Sequence, residues 1–195
     1  MTARRIVLGL VLGLALCPAT AFAAAGNAGA AGARATAADE FALKAAFLYH
    51  FTRFVEWPAT AFAGPAAPFR ICVFGTDPFG TRLDALARRR VGERAIEIAR
   101  PGTRDDLPGC QIAYLGDDTP ADIEAAAAGR SSPGTLTVAS NAAFARRGGM
   151  VALVTGSGRV RLHVNLASVR ESPLRFSAKL LEVAEVRHGG GSARR

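Results

Sequence analysis

Histidine occurs three times in 195 residues, cysteine three times, methionine twice and tryptophan once. That scarcity excludes several chemistries. His50, His163 and His188 are not spaced to ligate one zinc ion. There is no Gly-x-Ser-x-Gly elbow, and Ser157 stands between two glycines in a hairpin context. Gly75–Gly80 follows an apolar run but lacks both the Gly-Lys-Ser/Thr of a phosphate loop and the three-glycine spacing of a dinucleotide fingerprint. Asp105–Asp106 and Asp117–Asp118 fit no calcium-loop pattern and are ordinary loop carboxylates. The expectation is a protein with no catalytic residue, no metal and no cofactor, and so not an enzyme.

No apolar run approaches the roughly 20 residues of a membrane span. The longest begins after Met1–Arg5, a short basic segment, and runs from Ile6 to Leu16. Small residues follow at Ala21 and Ala23, so residues 1–23 read as a secretory signal peptide cut after Ala23. Leu16 before Cys17 is the wrong residue for a lipobox. Residues 24–38 are rich in Ala and Gly without periodicity and read as a disordered spacer. Residues 39–187 form one continuous domain, and 188–195 a flexible tail.

Two cysteines remain after the signal, Cys72 and Cys110. Export implies an oxidising compartment, so a disulfide between them leads over two buried free thiols. Loss of two leader arginines lowers the net charge from +8 to about +6. A basic surface suits anionic partners. Only Arg88-Arg89-Arg90 forms a run, and no aromatics interleave with it, which argues against nucleic acid.

The periodicity mixes helix and strand. Residues 39–57 predict a long helix stopped by Pro58. Strands are predicted at 70–74, 94–99, 110–115, 135–139, 150–155 and 159–165. Asp77-Pro78 and Thr119-Pro120 read as caps of helices reaching Arg89 and Ala128, and Ser140 or Asn141 caps one reaching Arg146. Gly156-Ser157-Gly158 predicts a hairpin whose first strand, MVALVT, is buried on both faces. Ser172-Pro173 precedes an amphipathic C-terminal helix over 176–187. The fold expected is a single α/β domain: a mixed central sheet, helices on both faces, a long N-terminal helix and an amphipathic C-terminal one.

Two surfaces are candidates for partner or dimer contact. On the predicted strand 159–165, Arg161, His163 and Asn165 share a face opposite Val160, Leu162 and Val164. The alternative is a merely solvated strand face. On the first helix, Phe47, Leu48, Phe51, Phe54 and Val55 fall in one arc, with His50 and Trp57 at its edge. That arc reads as core. Lys44 falls inside it, so either its stem snorkels or the helix is exposed there.

That helix carries a resemblance. KAAFLYHFTRFVEWP (44–58) resembles the opening motif of the YfiR/HmsC family, Lys-Ala-x-Phe-Leu-x-Asn-Phe-x-Lys-Phe-x-x-Trp-Pro. His50 replaces the usual Asn, and Arg53 the usual Lys. The likeness continues through RICVFGTDPFG (70–80) and over 146–186. There Gly148-Gly149-Met150, the strand Arg161 to Asn165, and Leu174, Ser177, Lys179, Leu180 and Leu181 match family motifs. The resemblance implies a periplasmic α/β protein, commonly a homodimer. It implies binding to the periplasmic sensor part of an inner-membrane diguanylate cyclase. That binding represses the cytoplasmic GGDEF domain, lowers cyclic di-GMP and restrains biofilm formation. It also implies relief by redox change or by an outer-membrane lipoprotein. Cys72 and Cys110 match a family disulfide. Some relatives carry a second pair near the hairpin; this chain does not, so a redox switch built on that pair lacks its residues. The alternative function is a small-ligand sensor or carrier, with a pocket at the strand ends around Gly75 and Asp117.

Overall fold

The computed structural model describes residues 25–129 and 132–187. The expected signal peptide (1–23) and tail (188–195) lie outside them. The first helix, α1 (Ala25–Phe54), is followed by β1 (Val55–Glu56), β2 (Phe69–Phe74), α2 (Thr81–Asp84), β3 (Arg90–Val91) and β4 (Arg94–Ala99). Next come β5 (Ile112–Leu115), α3 (Ala121–Ala128), β6 (Leu136–Ala139) and α4 (Ala142–Arg146). The chain continues with the hairpin β7 (Val151–Gly156) and β8 (Arg159–Asn165), then α5 (Leu166–Arg170), β9 (Arg175–Phe176), α6 (Ala178–Glu182) and β10 (Glu185–Arg187).

Eight strands form one sheet in the order β10-β8-β7-β6-β5-β2-β4-β3. The run β4-β2-β5-β6-β7 is parallel. β8 returns antiparallel to β7, and β3 is antiparallel to β4. The sheet is therefore mixed, as the hairpin predicts. Alternation along the central strands feeds two apolar layers. Ile71, Val73, Ile112, Tyr114 and Val138 pack on the α1 side; Cys72, Phe74, Ala113, Leu115 and Ala139 pack on the other with Ile123 of α3 and Phe144 of α4. Cys72 and Cys110 are joined within that second layer, 0% and 1% exposed.

Several elements differ from expectation. Helix α1 begins at Ala25, so the stretch read as a spacer is helical where it is described; alanine is the strongest helix former, and composition alone concealed this. At its other end α1 stops at Phe54, not Trp57. β-Branched Val55 and Glu56 pair with Phe176 and Arg175 of β9, and Phe54 O accepts from Ser177 N. Asp77 does not cap a long helix. Its Oδ1 accepts from Phe79 N (2.7 Å) and Gly80 N (3.3 Å), and left-handed Gly80 (φ 54°) restarts the chain as the four-residue α2. Thr119 does not cap α3 either; its hydroxyl donates to Phe74 O. Asn141, not Ser140, caps α4 by accepting from Phe144 N.

The C-terminal helix is the largest correction. Only Ala178–Glu182 is helical, and Glu185–Arg187 lies parallel to β8. The open edge of β8 offers backbone partners that a terminal helix would leave unused. Strand β7 is also buried only over Val151, Ala152 and Leu153. Beyond Ala152 it has no β6 neighbour, and the hairpin projects to its two-residue turn at Ser157 (φ 51°) and Gly158 (φ 71°).

Candidate functional site

Sheet order locates the first place to look. β2 connects to β4 on one side of it, while β5 lies on the other, so the crossovers diverge at the carboxyl ends of β2 and β5. Such a switch point is where open α/β sheets bind ligands. A cleft of about 210 Å³ lies there, lined by Phe41, Thr76, Tyr114, Asp117 and Asp118 among others. Asp118 is a strut between its loops: it accepts from Thr76 N (2.8 Å) and from the Thr76 hydroxyl. Those hydrogen bonds hold its carboxyl below the ordinary value. The backbone at Gly75 (φ 79°) comes so close that an added Cβ would sit 2.5 Å from Asp118 Oδ1. Asp117 and Asp118 are both exposed at this rim, and Asp118 is engaged by Thr76.

Behind the cleft lies a buried polar network that sequence reasoning missed. Lys44 is 2% exposed. Its Nζ donates to Glu40 Oε1 (2.5 Å) and to Ser140 Oγ (3.0 Å), and stands 5.0 Å from the Phe41 ring centroid. The Tyr114 hydroxyl hydrogen-bonds the Ser140 hydroxyl. Burial pushes the Tyr114 phenol up to about 12, against the Ser140 bond. Burial alone would raise the Glu40 carboxyl. Hydrogen bonds from Lys44 and Thr155, with the Lys44 charge, bring it below its ordinary value. So Lys44 neither snorkels nor marks an exposed face. One signal was available: a lysine within an apolar arc.

The Lys44–Ser140 contact has the residue types of a Ser–Lys dyad, but not its chemistry. Here the Lys44 Nζ is engaged by the Glu40 carboxylate, and Tyr114 occupies the serine hydroxyl from the other side. The network ties α1 to the ends of β5, β6 and β7 through Tyr114, Ser140 and Thr155. Among the described residues no cluster of three His, Cys, Asp or Glu could hold a metal. A second cleft of about 560 Å³ lies between α1 and the hairpin, with Glu40, Leu43, Arg159 and Val160 in its wall.

The five expected contact residues fall in separate settings. His50 is exposed on α1, its ring 6.2 Å from that of Phe54. Trp57 is half-buried: its Nε1 donates to Gln111 O (3.0 Å) and its ring meets Phe69 edge-on at 4.8 Å. Arg161 is exposed and pairs with Glu185 of β10 at 3.2 Å. His163 does not lie on a solvated face; it is 5% exposed, with Nδ1 3.4 Å from the same Glu185 carboxylate. Asn165 is 6% exposed and is a structural tie. Its Nδ2 donates to Ala145 O (2.8 Å), and its Oδ1 accepts from Ala167 N and Ser168 N to cap α5. Glu185 thus gathers Arg161 and His163 at the edge where β10 pairs with β8, while Arg161 stays exposed.

Compared with known families, the chain matches the YfiR/HmsC-like family over residues 41–185. Compared with curated proteins, it matches none. No described helix is long and apolar enough to cross a membrane.

Proposed function

The chain belongs to the YfiR/HmsC-like family, and on that premise we propose that it is a periplasmic regulatory binding protein that represses an inner-membrane diguanylate cyclase. The family match, which spans nearly the whole sheet domain, carries this reading. The site chemistry agrees with it: the buried lysine, serine and tyrosine form a closed network and not a reacting constellation. Repression needs only differential affinity. A protein that binds the inactive form of the cyclase's periplasmic part more tightly shifts the cyclase toward it, and full switching takes about 10⁴-fold preference. Export by the signal peptide, homodimer formation and relief by an outer-membrane lipoprotein belong to the same proposal.

Deletion of the gene with measurement of cyclic di-GMP tests it. Cyclic di-GMP rises and biofilm thickens if the protein represses, and a membrane GGDEF protein co-purifies with it. Unchanged cyclic di-GMP together with no cyclase in the pull-down overturns the reading. The switch-point cleft favours a second reading, a non-catalytic small-ligand sensor or carrier. Under it, metabolite extracts shift the melting temperature while deletion leaves cyclic di-GMP unchanged.

A further inference from the structure

Arginines gather at one corner of the molecule, where α1 meets α2 and the edge strand β3. Arg89 lies over the ring of Tyr49 on α1, its guanidinium 5.0 Å from the ring centroid. Arg53 stands one helical turn beyond Tyr49 on the same face of α1. Arg82, Arg88 and Arg90 come from α2, the segment after it and β3, and all are exposed, as are Arg53 and Arg89. Of the nearby carboxylates, Glu93 alone is paired with a member of the set, Arg90, among the described residues. Asp84 is engaged by Arg100 at 2.7 Å, Glu93 faces Arg90 at 4.0 Å, and Glu56 is in register with Arg175 of β9.

We propose that this corner docks the protein on an anionic phospholipid surface. Charge on β3 protects an exposed sheet edge from pairing, but Arg53, Arg82 and Arg88 lie outside that strand and need another reason. Guanidinium groups take phosphate oxygens through paired N–H donors. Tyr49, half-buried between them, offers an amphipathic ring of the kind that sits at a headgroup boundary. The patch shares no residue with either cleft, so it suits an extended headgroup plane and not a small enclosed ligand. Docking would hold the protein beside the membrane whatever its protein partner, and it stands or falls separately from repression of a cyclase.

The test is co-sedimentation of the exported full chain with vesicles containing phosphatidylglycerol, against vesicles of phosphatidylcholine alone, at low and high salt. Wild-type protein sediments with the anionic vesicles at low salt only. The triple variant Arg82→Gln, Arg88→Gln, Arg89→Gln partitions about a hundredfold more weakly, about fivefold for each charge lost. Because Arg89 also packs on Tyr49, a second variant, Arg53→Gln, Arg82→Gln, Arg88→Gln, leaves that contact intact and shows the same loss. A charge-matched control, Arg146→Gln, Arg170→Gln, Lys179→Gln, stays within about twofold of wild type. No wild-type sedimentation, or equal loss in the control, overturns the proposal. So does intact vesicle binding in the corner variants with lost capture of an acidic protein partner.

Discussion

At the scale of single residues the decisive feature is a lysine with almost no exposure. Removing the counterion of a buried charge destabilises more than removing the charge itself. Glu40→Ala leaves Lys44 with Ser140 and the Phe41 ring; since the Glu40 side chain is itself 25% exposed, we expect a loss of about 2 kcal/mol, less than for a fully buried pair. Lys44→Met removes charge and keeps volume, so it should be near neutral. Urea midpoints at constant slope check both; equal costs would show that the pair is not organised as described. The network also sets two pH limbs. The Glu40 carboxyl is lowered from its ordinary 4.5, so its contribution is present above that value and is lost as pH falls through the folded value. The Tyr114 phenol is raised from 10 to about 12, so its contribution is present below pH 10 and is lost as pH rises toward 12. Tyr114→Phe should therefore flatten the alkaline limb and leave the acid limb in place, which denaturation across pH will show.

At the scale of elements, what could be read from sequence follows the strength of local patterns. The central strands β2, β4, β5 and β6 and the β7–β8 hairpin were legible, because apolar alternation, β-branched residues and a Gly-Ser-Gly turn all agree there. The short pieces were not. Phe176 to Arg187 has helical spacing, yet the free edge of β8 claims its last three residues, and no local signal announces a tertiary partner. The same edge explains why the ion partner of Arg161 and His163 could not be read from the alternation: Glu185 comes 22 residues after His163 and lies on β10. Lys44 was visible as an anomaly but not as a site, because its partners Ser140 and Tyr114 lie on other strands. Asn165 illustrates the consequence. The alternation placed it on a contact face, while the structure has it capping α5 and holding Ala145 O. Asn165→Ala should cost about 2 kcal/mol from the lost cap and the lost donor. Asn165→Asp keeps the cap acceptor and loses the donor, so its thermal midpoint should fall between those of Ala and wild type. A midpoint for Asn165→Ala equal to wild type would return this residue to the surface.

At the scale of the whole molecule the disulfide links the central strand to the chain entering its neighbour. Cys72 and Cys110 enclose a sequence separation of 38 residues, so closing that loop constrains the unfolded chain by about 4 kcal/mol on the chain-entropy view. Both cysteines lie under α3 and α4 in the second apolar layer, where neither a thiolate nor a reductant has access without opening that layer. Reduction at this pair is therefore coupled to loss of the fold and is poorly suited to a reversible signal, unlike a bond on an exposed loop. We expect native protein treated with glutathione at a periplasm-like poise to keep its disulfide, with thiols becoming alkylatable only in denaturant. The double variant Cys72→Ala, Cys110→Ala should fold with its urea midpoint lowered in proportion to about 4 kcal/mol. Intact-mass analysis after alkylation reads the first outcome, and thiol labelling of folded protein at glutathione concentrations would refute it, restoring redox control to a chain whose residues 24–195 hold no second cysteine pair.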